Sequence, residues 1–119
     1  MKRSEINKAL KRMEQLAGEY HFALPPFCSW TREEWSQKGA EYNEIRDNLL
    51  GWDITDYGLG NFKKIGFSLI TLRNGNMKNP AYRKPYAEKL LMLEEEQSAP
   101  MHFHWSKMED IINRGGGTV

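Results

Sequence analysis

The sequence predicts an α+β fold in which helices come first and strands follow. Three observations carry this expectation. Apolar residues recur at helical spacing between Ile6 and Ala17. Capping and glycine signals then mark further helical pieces before residue 51. Beyond residue 60 the chain changes to β-branched and aromatic runs punctuated by glycine, asparagine and proline.

The first helix rests on Ile6, Ala9, Leu10, Met13, Leu16 and Ala17, with Ser4 as its N-cap and Gly18, Pro25 and Pro26 as its stop. Lys8, Lys11 and Arg12 fall on its solvated outer face. A second helix starts at Thr31, because Thr31 and Glu34 have capping-box spacing, in which each side chain satisfies an amide the helix leaves open. Trp35 is its first large apolar residue, and Gly39 interrupts it. The next piece, AEYNEIRDNLL, puts Tyr42, Ile45 and Leu49 on one stripe and closes at Gly51. The run Ile65 to Leu72 reads as a strand, and Asn74-Gly75 as a tight turn after it. NPAYRKPY is a loop containing Pro80 and Pro85, and EKLLMLEEE is a strand with a buried centre from Leu90 to Leu93. MHFHWS is expected to form a further strand. Residues 1–60 are thus a helical segment that packs on a strand-bearing part, residues 61–119.

A chain of 119 residues fits one domain with its own core. Seventeen basic residues against sixteen acidic ones give no electrostatic reason for a nucleic-acid or membrane partner. The single cysteine, Cys28, cannot form an internal disulfide, which points to a reducing compartment. The N-terminal residues are charged but lack an apolar run, and no segment has the length of a bilayer span. A soluble, cytoplasmic protein is the expectation.

The chemistry concentrates in PMHFHWSKMEDIINRGGG, from Pro100 to Gly117. Extended backbone alternates its faces, so His102 and His104 point one way while Met101, Phe103 and Trp105 point the other. Two imidazoles on one face can converge on a single ion, and neutral imidazole suits Mn, Fe, Zn, Ni and Cu. Glu109 follows His104 by five positions, and WSKM between them can turn the chain to bring it back on a neighbouring strand. Two histidines and a carboxylate make a facial ligand set with open positions for water or substrate. Asp110 falls on the opposite face from Glu109 and is the weaker ligand candidate, while His21 reads as a packing or surface residue. NRGGG supplies a permissive turn after the strand.

The spacing His102-x-His104, four residues, Glu109, six residues, Gly116 resembles the first motif of the cupin superfamily. One departure is Glu96, which stands where that motif begins with a glycine. The blocks CSWTREEW, EKLLMLEE and HFHW-x-K-x-EDIINRGGG are similar to the D-lyxose ketol-isomerase family of cupins over most of the chain. The resemblance implies a fold of N-terminal helices followed by part of a double-stranded β-helix, or jelly-roll, barrel. It implies interconversion of D-lyxose with D-xylulose, and of D-mannose with D-fructose, on a divalent ion, most often Mn²⁺. Carried over by position, it implies His102, His104 and Glu109 as metal ligands and Lys107 as an acid/base group beside a monosaccharide. An aldose and its ketose differ by one proton moved between C1 and C2, so such a group is required. A nearby cation lowers a lysine pKa, which suits Lys107 to that task.

Cupins take a fourth ligand, a histidine, from a second motif further along, and no histidine follows His104. The family is roughly twice as long. The expectation is therefore the first half of a barrel, inactive alone, whose unpaired strand edges favour a homodimer. The competing readings are a cupin domain that binds sugar or metal without catalysis, and an Fe(II) dioxygenase, since two histidines and a glutamate also suit that ion.

Overall fold

A computed structural model describes residues 1–118. Helix α1 spans Arg3–Glu19 and buries Ala9, Met13 and Ala17, which recur every four residues on one face. Its N-cap is Lys2 rather than Ser4, which lies inside the first turn. The Lys2 backbone N–H donates to Glu5 Oε2 at 2.6 Å, so a glutamate carboxylate satisfies an amide at that end. A short 3₁₀ turn, Pro26–Cys28, leads to helix α2, Arg32–Ser36. The capping box at its start is formed as the spacing predicts: Glu34 N–H donates to Thr31 Oγ1, and Thr31 N–H donates to Glu34 Oε2.

Gly39 precedes a second 3₁₀ turn, Ala40–Tyr42, which runs into helix α3, Asn43–Asp47. This piece is shorter than its apolar stripe predicts. Leu49 takes φ +55° and is exposed, so it leaves the stripe, and Gly51 opens a strand instead of closing a helix. The cause is Asn48, the most buried polar residue of this region after Ser68. Its amide donates to Asn74 O at 3.2 Å, its backbone O accepts from Asn74 Nδ2 at 2.9 Å, and its Oδ1 accepts from Asn76 Nδ2 at 3.0 Å. Those bonds replace the helical pattern with a long-range one.

Strands β1 (Gly51–Thr55), β2 (Phe67–Arg73) and β3 (Glu88–Met92) form one antiparallel sheet in that spatial order. The central strand carries Ser68, Leu69, Ile70 and Thr71, all buried, as a β-branched and aliphatic strand between two neighbours should. Met13 of α1, Ile70 of β2 and Met92 of β3 make the core, with Leu16, Leu24, Cys28, Trp52, Leu72 and Leu90 packed around it. Trp52 Nε1 donates to Cys28 O at 2.9 Å and ties β1 to the 3₁₀ turn. The molecule is thus α+β.

Two further expectations, both about the strands, are corrected. Asn74-Gly75 is no two-residue hairpin: β2 reaches β3 through residues 74–87. That connection is pinned to α3 by the asparagine set, by Tyr82 Oη donating to Asp47 Oδ2 at 2.6 Å, and by the Lys84–Glu44 ion pair. Gly75 is needed for close approach, because a Cβ there would run into the carbonyl of Lys84. The centre of β3 is also not a buried run. Met92 is buried, but Leu91 and Leu93 are exposed, as befits alternation on an edge strand. Among the described residues, no helix is long and apolar enough to cross a membrane.

Candidate metal centre

The segment that carries the histidines is tethered at both ends. At its root, Gly66 N–H donates to Ser98 O and Ser98 N–H donates to Lys64 O, both at 2.9 Å, making a single parallel bridge to the chain just before β2. Gln97 reinforces this root, donating through Nε2 to Phe62 O at 2.5 Å. At its far end, Arg114 lies over the Phe22 ring with 5.9 Å to the centroid. Gly115, at φ +138°, sits against Tyr20 so closely that a Cβ would come within 2.7 Å of its ring. The segment therefore bridges the 62–66 loop and the C-terminal end of α1.

Between these tethers residues 101–104 are irregular, not a strand, and Glu109 does not return on one. No neighbouring backbone satisfies this stretch as a ladder would, and its residues are exposed, including Phe103 at 71% and Trp105 at 92%. The alternation of faces survives. The His102 and His104 rings meet edge to face at 5.0 Å, and those of Phe103 and Trp105 do so at 5.1 Å. A bend at Trp105 and Ser106 then brings Glu109 to the imidazole side.

Ligand atoms of His102, His104 and Glu109 lie within 4.8 Å of one another. His104 Nε2 is 3.0 Å from Glu109 Oε2, and Lys107 Nζ donates to Glu109 Oε1 at 3.0 Å. His102 Nδ1 is 2.9 Å from Pro100 O. A carbonyl only accepts, so Nδ1 is the donor here, and in the neutral imidazole this leaves the Nε2 lone pair for an ion, the arrangement that orients a metal-binding imidazole. The hydrogen bond from Lys107, joined by its charge and by His104, outweighs desolvation and holds the Glu109 carboxyl below the usual range. It is thus ionised at neutral pH and available as an oxygen donor. Two imidazoles and one carboxylate suit Mn, Fe or Zn rather than Ca or Mg, which prefer all-oxygen sets. The residues present fit a divalent transition ion.

The structure brings together the four side chains that the sequence singled out. Asp110 is not among them, and His21 is exposed just beyond α1 at φ +53°, far along the chain from the site. What sequence reasoning missed was the Pro100 carbonyl that fixes His102, since a backbone acceptor leaves no mark in residue identity, and the tethers at Tyr20 and Phe62. Cys28 stays outside the site. Burial, with Glu14 nearby, pushes its thiol up to about 11, so it is neither a thiolate ligand nor a nucleophile at neutral pH. The cavities lined by Met1, Asp56 and Phe62 and by Phe22, Phe27 and Leu72 do not include the three ligands, which face open solvent.

With this geometry in hand, likeness to known proteins is informative. Residues 1–119 match the family described as D-lyxose isomerase. The chain is 48% identical over 120 aligned positions to a D-lyxose/D-mannose isomerase of Escherichia coli O157:H7, and 42% identical to one of Serratia proteamaculans. Each alignment covers 100% of this chain and 53% of the relative, so the chain spans about half the length of these curated relatives. On a match that runs from the first residue to the last, the chain belongs to the D-lyxose isomerase family.

Proposed function

We propose that this chain supplies the metal-binding part of an aldose–ketose isomerase acting on D-lyxose and D-mannose. The observation that carries the reading is the convergence of His102, His104 and Glu109, beside Lys107, within a chain matched over its full length by the D-lyxose isomerase family. His102, His104 and Glu109 hold the ion, Mn²⁺ by preference. When bound, such an ion supplies Lewis-acid polarisation of the sugar carbonyl. Lys107 carries the proton between C1 and C2. Its ammonium is half-exposed on a flexible stem and reaches the same side as the ligands. The three-stranded sheet is the first part of a cupin barrel, and β1 and β3 are its open edges, the surfaces through which a homodimer forms.

In this reading the isolated chain does not turn over sugar at a useful rate. The ligands face solvent, and proton transfer needs the substrate held within hydrogen-bonding reach of its acid/base group. General acid/base help is worth roughly 10²–10⁴-fold, and that gain requires enclosure. The test is to incubate the purified chain with D-lyxose and Mn²⁺, with and without the separately produced remainder of the Escherichia coli relative, and to follow D-xylulose. Turnover only in the mixture is expected. Turnover of about 1 s⁻¹ by the chain alone would show that two copies complete a site. A mixture that binds Mn²⁺ and D-lyxose but makes no ketose would favour the non-catalytic sugar- or metal-binding cupin.

A further inference from the structure

The ligand carboxylate is engaged on both of its oxygens. Oε2 of Glu109 faces His104 Nε2, and Oε1 accepts from Lys107 Nζ, each at 3.0 Å. A divalent ion that bonds Glu109 must therefore settle on a carboxylate that already holds a cation. Resting on the metal reading above, we propose that Lys107 and the divalent ion compete for Glu109, so that ion binding displaces the ammonium from the carboxylate and frees it toward the substrate.

Two effects of Lys107 on ion affinity oppose each other. The ammonium fixes the carboxylate in place, which favours binding, and its charge repels the ion, which disfavours it. The first effect is small. Both partners are about half-exposed, at 50% and 43% for Lys107 and Glu109, and a solvated pair of this kind biases a side chain by no more than about five-fold. The second is larger. In water a doubly charged ion roughly 5 Å from an ammonium is repelled by about ten-fold in affinity. Leaving the carboxylate instead costs only the existing pair, at most about five-fold. The four-carbon stem lets the ammonium leave for water with little strain, so release is favoured over a shared carboxylate. This makes the ion the switch that delivers Lys107. Before the ion arrives, the lysine is held by a ligand; afterwards it is available to move a proton.

The experiment is a calorimetric titration of the chain with Mn²⁺ at fixed ionic strength, using wild type, Lys107→Met and Lys107→Arg. Lys107→Met removes the competitor and should tighten binding by about two- to five-fold. Lys107→Arg keeps both charge and pairing, and should leave affinity unchanged or weaker. Wild type that binds while Lys107→Met binds equally or less tightly would overturn the competition alone, and would make Lys107 a residue that orients Glu109. If neither wild type nor Lys107→Met binds, the metal reading falls and takes the competition with it. A second measurement needs no variant. Acetylation of lysines, read by mass spectrometry, should increase at Lys107 when Mn²⁺ is added, relative to Lys89 on β3. Protection of Lys107 by Mn²⁺ contradicts displacement.

Discussion

Asp56 shows how one carboxylate can hold a loop. It is buried just after β1, and its Oδ1 accepts from Gly58 N–H at 2.9 Å while its Oδ2 accepts from Gly60 N–H at 3.2 Å. The Met1 ammonium lies 3.7 Å away. The Gly58 hydrogen bond, joined by the Met1 charge and Gly60, outweighs desolvation and holds the carboxyl below its ordinary value. The ionised form is therefore favoured in the folded state. The stability it contributes is present above the unfolded value, about 3.9, and is lost as pH falls through the lowered folded value. Asp56→Asn should lower the urea midpoint at neutral pH. Its deficit against wild type should shrink as pH drops below about 4. A deficit that stays constant with pH would assign the loss to packing instead. Nothing in the sequence marked Asp56, because its partners are backbone amides of a loop whose path had to be known first.

At the scale of elements, α1, the cap of α2 and β2 were legible, whereas β1, Gly51–Thr55, lies inside the stretch read as a helical segment, residues 1–60. The Ala9, Met13, Ala17 face of α1 and the Thr31–Glu34 capping box follow from spacing alone. The strand read from Ile65 to Leu72 corresponds to β2, Phe67–Arg73. Asn74-Gly75 misled because its residues serve other ends. Asn74 pairs with Asn48, and Gly75 admits the Lys84 carbonyl. Such pairing across 26 positions has no period to detect. Asn48→Ala should cost about 1–3 kcal/mol, the range for orphaning buried hydrogen-bond partners, as measured by urea unfolding. A loss under about 0.5 kcal/mol, the range of surface substitutions, would mean that the 74–87 connection is held by Tyr82 and Lys84 instead.

The departure at Glu96 has a physical counterpart. Glu96 sits in the turn closed by Gln97 N–H donating to Glu94 O at 3.0 Å, and it takes φ +61°. That is the left-handed region, which costs a side-chain-bearing residue about 1–2 kcal/mol and glycine little. A glycine at this position would meet that backbone requirement at little cost. Glu96→Gly relieves the strain but adds chain entropy to the unfolded state. It should therefore stabilise by about 0.5–1 kcal/mol, visible as a higher thermal midpoint. A lower midpoint would mean that the turn depends on the Glu96 side chain.

For the whole molecule, the candidate site was legible as a set of residues and illegible as an architecture. The His-x-His-x₄-Glu spacing identified His102, His104 and Glu109, and they converge. The strand expected to carry them is replaced by an irregular segment slung between the 62–66 loop and Tyr20. Period-two alternation is a property of extended backbone and needs no ladder, so faces can be read where a sheet cannot. The exposed Met101, Phe103, Trp105, Met108, Ile111 and Ile112 lie on this same segment, in a chain that spans about half the length of its relatives. If three side chains on this segment form one divalent-ion site, as proposed, the chain binds Mn²⁺ saturably and His102→Ala does not match it. Calorimetry should give one ion per chain for wild type and at least a ten-fold weaker site, or none, for His102→Ala, since an ion loses one of three protein ligands. Equal binding by the two proteins would rule out the proposed site.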